Sequence, residues 1–265
     1  MNPLRITICQ QTLHWEQPQA NLDHWTSVLS TLKGKTDLII LPEVFTTGFT
    51  MNVSAFAESM HGPTIAWMSE MAQELQATIT GSFICEVPAI ESSNYFNRLV
   101  WMNPDGSHHH YDKRHLFSFA GEHFHFSAGD ARLVVELKGW RICPLICYDL
   151  RFPVWSRNNA NSPYDLLLYV ANWPEARAAA WNTLLSARAH ENQCYVAGVN
   201  RIGLDGTGIP YSGDSKVIDP RGAILAAIPA HQAGIETVIL DGNDLIDYRQ
   251  KFRVLEDADS FALNN

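Results

Sequence analysis

Short runs rich in isoleucine, leucine and valine alternate along this chain with longer stretches whose apolar residues recur every three or four positions. The short runs predict buried strands, and the longer stretches predict amphipathic helices. Leu4–Thr12 is the first predicted strand. Asn21–Leu32 follows as a helix, with Leu22, Trp25, Val28, Leu29 and Leu32 on one face. Asp37–Leu41 is a short buried strand that stops at Pro42-Glu43. Pro63–Leu75 is a second helix: proline suits its first turn, and Ile65, Met68, Met71, Ala72 and Leu75 share a face. Strands are predicted at Ala77–Glu86 and Tyr95–Met102, then a turn at Asn103-Pro104-Asp105-Gly106 and a short strand to Tyr111. A strand over 139–146, a strand Leu166–Val170, a helix Arg177–Asn192 and a strand Tyr195–Val199 continue the alternation. Gly213–Ile218, Ile224–Ala227 and Gly234–Leu240 complete the predicted sheet.

Interleaved strands and helices place the chain in the α/β class. No linker, low-complexity run or internal repeat interrupts the 265 residues, so one domain over 1–265 is expected. The segment from about 241 to 265 carries Tyr248, Phe252 and Leu255 between charges. It is expected to pack on the surface or against a partner subunit.

Composition narrows the function classes. A net charge of −9 argues against nucleic acid or an anionic membrane surface as partner. It leaves room for a small anionic substrate, which local arginines and lysines would decide. The first apolar stretch is too short for a signal peptide, and no run is long enough to span a bilayer. Five cysteines, an odd number without a signal segment, point to free thiols in a reducing, cytoplasmic compartment.

Three residues at strand ends carry the candidate chemistry. Cys147 closes the apolar run Arg141-Ile142-Cys143-Pro144-Leu145-Ile146 and precedes the polar turn Tyr148-Asp149-Leu150-Arg151-Phe152-Pro153. It is either a nucleophile at the mouth of a sheet or a small buried filler. Glu43 follows the strand Leu38-Ile39-Ile40-Leu41-Pro42 and stands among apolar neighbours. It is either solvated at the rim or held in a cleft, where desolvation would suit it to act as a base. Lys113, in Tyr111-Asp112-Lys113-Arg114-His115-Leu116-Phe117, is either a surface charge or a buried one. Together the three types have one use. A thiol nucleophile needs a base, and a developing oxyanion needs a positive donor. An ammonium beside the thiol is also expected to lower its pKa. Such a set runs acyl transfer with no metal and no organic cofactor.

The segments Leu-Pro-Glu-Val-Phe-Thr-Thr-Gly-Phe, Tyr-Asp-Lys-Arg-His-Leu-Phe and Ile-Cys-Tyr-Asp-Leu-Arg-Phe-Pro resemble, in order, the three signatures of the nitrilase superfamily, the carbon–nitrogen hydrolases. The resemblance continues through Ala171-Asn172-Trp173-Pro174, Ala187–Gln193 and Gly213–Gly222, and so covers nearly the whole chain. It implies a four-layer αββα sandwich, and a homodimer or larger assembly. It also implies Glu43 as base, Lys113 as oxyanion stabiliser, Cys147 as nucleophile, and the Tyr148 N–H as a second oxyanion donor. The family's second glutamate is matched by Glu122 in Ala120-Gly121-Glu122-His123-Phe124, with a positioning role. The wording around Cys147 and around Tyr169-Val170-Ala171-Asn172-Trp173-Pro174 is most similar to bacterial omega-amidases, which implies 2-oxoglutaramate as substrate. Deaminated glutathione, an N-carbamoyl amine and a nitrile are the rival substrates, since the same triad serves all four. A non-catalytic binding protein on this fold is the rival from another class, but it would be expected to have lost one of the three residues.

Two further residues could line the pocket. Trp173 follows a buried strand and either lines it or fills the core. Arg151 binds a substrate carboxylate or, in the favoured reading, pairs structurally with Asp149 or another acid. Histidines 108–110 cannot converge on one ion, because successive strand residues face opposite sides. His123 and His125 with Glu122 are a weak metal motif, expected instead to line the site or pack. A Cys–His pair would be the other catalytic reading of Cys147, but it leaves the glutamate and lysine segments without a role.

Overall fold

The computed structural model describes residues 1–89 and 93–259. Two six-stranded sheets stack face to face. Strands β1 (Leu4–Gln10), β2 (Leu38–Ile40) and β3 (Thr78–Val87) run parallel, linked by α1 (Pro18–Leu29) and α3 (Pro63–Leu75). A single helical turn, α2 (Val53–Phe56), lies between them in sequence. Antiparallel β4 (Asn94–Met102) and β5 (His108–Asp112) extend one edge of this sheet.

The second sheet is built around β7 (Trp140–Ile146), β8 (Leu166–Ala171) and β9 (Tyr195–Asn200), also parallel, with β6 (Val135–Leu137) antiparallel at one edge. Helix α4 (Ala178–Asn192) forms the crossover from β8 to β9. A small hairpin, β10 (Ile202–Leu204) with β11 (Pro210–Ser212), follows. Then β12 (Lys216–Ile218) and β13 (Ile224–Ala227) complete the second sheet, and β14 (Gly234–Leu240) returns to pair with β1 in the first. Helix α5 (Gly242–Lys251) is the last helix among the described residues.

Strand alternation explains the layers. Leu4, Ile6 and Ile8 of β1 and Leu38 and Ile40 of β2 face inward and share a core with Ile142, Leu145, Leu168 and Val170 of the second sheet. Cys9 and Ile39 point the other way, against Leu22, Trp25 and Leu29 of α1 and Met68, Ala72 and Leu75 of α3. On the far side, Trp181, Leu185 and Ala189 of α4 pack on the second sheet. The order helix, sheet, sheet, helix is the expected αββα sandwich.

Several boundaries differ from the sequence reading for local reasons. The first helix starts three residues early, because Pro18 serves as its first-turn residue. The strand expected at Gly213–Ile218 begins only at Lys216. Gly213 (φ +81°) and Asp214 (φ +61°) are left-handed, which no strand residue is. The hairpin β10–β11, the strand β6 and the turn α2 have three or four residues each, too few to show a period. Helix α5 lies in the segment expected to pack on a surface. Its Leu245 is buried, and Arg249 reaches Asp165 (2.8 Å) and the Gln193 carbonyl (2.9 Å), just ahead of β8 and β9. Residues 260–265 of that segment lie outside the described residues.

Candidate active site

The candidate residues gather where strands end. Glu43 lies just beyond β2, Lys113 follows β5 directly, Cys147 follows β7, and Asn172 and Trp173 follow β8. Carboxyl ends of parallel strands are where α/β folds leave a crevice.

Each loop is held by named bonds. The Glu43 loop is pinned to β3, with the Val44 N–H donating to Ser82 Oγ (2.8 Å) and the Phe45 N–H to the Ser82 carbonyl (3.0 Å). Cys147 opens a 3-10 turn, Cys147–Arg151, with φ +42°. A non-glycine residue there is strained, and the surroundings must hold it. Asp149 does so. Its Oδ2 accepts from the Ile146 N–H (3.0 Å) and the Tyr111 hydroxyl (2.7 Å), and its Oδ1 from the His115 N–H (3.0 Å). One buried carboxylate therefore ties the cysteine turn to the lysine segment.

Glu43 is completely buried and Lys113 is 1% exposed. Lys113 Nζ donates to Glu43 Oε1 (2.8 Å) and to both oxygens of Glu122 (3.0 Å each). Asn97 Nδ2 also donates to Glu43 Oε1 (2.7 Å) and reaches Glu122 Oε1 (3.5 Å). The Asn172 N–H donates to Glu43 Oε2 (2.7 Å), and Asn172 Nδ2 to the Glu43 carbonyl. Two carboxylates thus enclose one ammonium. Burial opposes the Lys113 charge, but Glu122 and Glu43 outweigh it and hold the ammonium above the ordinary lysine range. Burial also raises Glu122, and the Glu43 charge adds to this against the pull of Lys113. Glu122 turns inward to Lys113, while the His123 ring lies against Phe124, 3.9 Å between centroids. The weak metal motif is therefore not assembled.

Cys147 is 8% exposed and contacts this cluster, its Sγ 3.9 Å from the Asn172 carbonyl. Its pKa runs opposite to expectation. Burial and the Glu43 charge push the thiol well above its usual value, and Lys113 only partly counters them. The resting group is a thiol beside a carboxylate, so attack requires proton removal in place. Among the described residues no histidine bonds to Cys147; His115 faces Asp149 and stacks on Phe152.

A cavity of about 430 Å³ opens over Cys147 and Lys113. Tyr148, Arg151 and Trp173 all line it, as the sequence reading allowed. Trp173 is also buried against Trp181 (5.5 Å between ring centroids), so it lies both in the core and on the cavity wall. Arg151 corrects the favoured reading. Asp149 is committed to Tyr111, His115 and Ile146, and among the described residues Arg151 makes no ion pair; its guanidinium lies 4.9 Å over the Trp173 ring. The Tyr148 N–H stands in the first turn of the 3-10 segment, where N–H groups lack a helical partner.

Sequence reasoning missed Asn97, Asn172, Asp149 and Arg177. The first three act by hydrogen bonds between residues distant in sequence, Asn172 and Asp149 across the two sheets and Asn97 within the first, which no spacing shows. Arg177 was assigned to the start of a helix, and only the fold turns it toward the cavity.

The carbon–nitrogen hydrolase family profile matches residues 5–250. The chain belongs to the carbon–nitrogen hydrolases. Among curated members of this family, Omega-amidase YafV of Escherichia coli (strain K12) is 49% identical over 263 residues, covering 99% of this chain and 100% of that protein. A 2-oxoglutaramate amidase of Bacillus subtilis is 30% identical, covering 95% of this chain and 96% of its own. Among solved carbon–nitrogen hydrolases, a Xanthomonas campestris protein with an arsenic adduct in its active site is 47% identical. It superposes over the full length of both chains with a TM-score of 0.95.

Proposed function

We propose that the chain is an omega-amidase that hydrolyses 2-oxoglutaramate to 2-oxoglutarate and ammonia. One observation carries the reading: Glu43, buried behind the cavity, is bonded at 2.8 Å to Lys113, and Lys113 and Cys147 line a cavity whose wall also carries Arg151 and Arg177. The amidases named above, similar over nearly their whole length, support the substrate.

Cys147 Sγ attacks the amide carbon while Glu43 takes the thiol proton. The carbonyl oxygen becomes an oxyanion, held by Lys113 Nζ and the Tyr148 N–H; one such donor is worth about 10²–10³ in rate. Glu43 returns the proton to nitrogen, the C–N bond breaks and ammonia leaves. A thioester remains on Cys147. Water, deprotonated by Glu43, attacks it, the C–S bond breaks, Glu43 returns that proton to Cys147 Sγ and the acid departs. Glu122 positions the Lys113 ammonium throughout. Arg151, supported on Trp173, receives the carboxylate at the substrate's far end. No metal or cofactor takes part.

In this reading residues 1–265 act as one hydrolase domain, in the cytoplasm, as a homodimer or larger homo-oligomer. The five cysteines, all unpaired, suit a reducing compartment. Ammonia release from 2-oxoglutaramate, measured beside deaminated glutathione, an N-carbamoyl amine and a nitrile at equal concentration, tests the substrate. The largest kcat/KM is expected for 2-oxoglutaramate, and a higher value for any other overturns the choice.

A further inference from the structure

We propose that Arg177 is the second half of a paired-guanidinium clamp, and that it confines the substrate to linear amides ending in a carboxylate and carrying no ammonium. The inference rests on the amidase reading above and adds the residue that sets its substrate class.

Arg177 lines the same cavity as Cys147 and Arg151, and among the described residues no acidic side chain lines it. Among the described residues neither arginine forms an ion pair. Lys113 is already matched by Glu43 and Glu122. The two guanidiniums are therefore the unmatched charges of the cavity, in a chain whose net charge is −9.

The surroundings of Arg177 hold the group without consuming its donors. Its guanidinium lies 5.4 Å from the centroid of Phe117 and 4.9 Å from that of Phe119. Aromatic faces stabilise a guanidinium while leaving its in-plane N–H groups free for a carboxylate. Its backbone is fixed as well: Trp173 Nε1 donates to the Arg177 carbonyl at 2.8 Å. The face of the same indole carries Arg151 at 4.9 Å. One tryptophan thus sets the positions of both cations. The loop bearing Phe117 is in turn tied to Glu122, whose carboxylate accepts from the Phe117 N–H.

Arg177 stands where the 3-10 turn Glu175–Arg177 runs into α4, and its side chain makes no capping bond there, so the guanidinium is not spent on the helix end. The clamp also excludes: a 2-amino group, as in glutamine, would set an ammonium against two guanidiniums.

The test compares wild type with Arg177→Asn, which restores a capping side chain, and with Arg177→Lys, which keeps the charge. The probes are 2-oxoglutaramate, glutaramate, neutral pentanamide and glutamine. In Arg177→Asn, kcat/KM should fall about 10–100-fold on both carboxylate-ended amides, chiefly through KM, as expected for a lost charge-assisted contact. The loss on pentanamide should be at least about tenfold smaller, discrimination against glutamine should narrow, and Tm should hold or rise. Arg177→Lys should recover part of the loss on glutaramate, by charge alone. Equal losses on anionic and neutral amides overturn the clamp, as does no loss on glutaramate. A wild type that prefers glutaramate to pentanamide through Arg177 yet ignores 2-oxoglutaramate overturns the omega-amidase reading and supports the clamp.

Discussion

Glu43 meets Cys147 in two opposed ways, and the balance between them makes a prediction. As a base it takes the thiol proton during attack. As a buried negative charge it holds that proton on sulfur at rest, raising the thiol along with burial. Glu43→Gln removes both effects. Turnover should fall by about 10²–10⁴, the usual worth of a positioned base. Yet the thiol's own titration should move down, because the charge that raised it is gone while the Lys113 ammonium remains. The pH profile of Cys147 alkylation reads this directly: the variant's midpoint should lie below that of wild type. A midpoint shifted upward would mean that Glu43 favours the thiolate at rest, contrary to the arrangement described.

Loops at strand ends carry this chemistry, and neighbouring strands hold the loops. Asn200, at the end of β9, accepts from the Trp173 N–H (2.8 Å) and donates to the Trp173 carbonyl (3.0 Å) and the Gly213 carbonyl (2.9 Å). Asn200→Ala leaves those buried backbone groups unpaired, at about 1–3 kcal/mol. Because Trp173 carries Arg151 and anchors Arg177, the variant should raise KM more than it lowers kcat. Thermal unfolding and steady-state kinetics separate the two effects. A fall in kcat alone would place Trp173 outside substrate binding. This coupling also shows what a single sequence leaves out. Glu43 and Cys147 stand out because each closes an apolar run, and Lys113 because its charged cluster follows a strand and runs into Leu116-Phe117; these are local signals. Asn200, Asn97 and Asp149 lie within or beside such runs and act on residues far away in sequence, so pattern and period are blind to them. Arg177 was hidden for a related reason: helix periodicity accounts for its place in the chain but not for the direction of its side chain. Most strands of the two large sheets, the three-residue β2 among them, were legible to within one or two residues, since buried apolar runs are a strong signal. The three-residue β6, β10 and β11 were not, and β12 begins three residues after its expected start.

At the scale of the whole molecule, two sheets share one core and sort the five thiols. Cys9, Cys85, Cys143 and Cys194 fill the packed layers. Burial raises all four, to about 11 at Cys85 and about 12 at Cys143. Cys147 alone among them lines the cavity. A thiol reagent should therefore modify one cysteine per chain in the native protein and all five after unfolding. Peptide mapping checks both numbers, and rapid native modification of any of the other four would contradict the packing. The central claim is that amide hydrolysis passes through a thioester on Cys147. Its most direct measurement is the mass of active enzyme quenched in acid within the first turnovers on 2-oxoglutaramate, with the modified peptide mapped. An adduct equal to the substrate less ammonia, on Cys147 and absent from Cys147→Ala, is the predicted result. A full equivalent of ammonia released while Cys147 stays unmodified would contradict it.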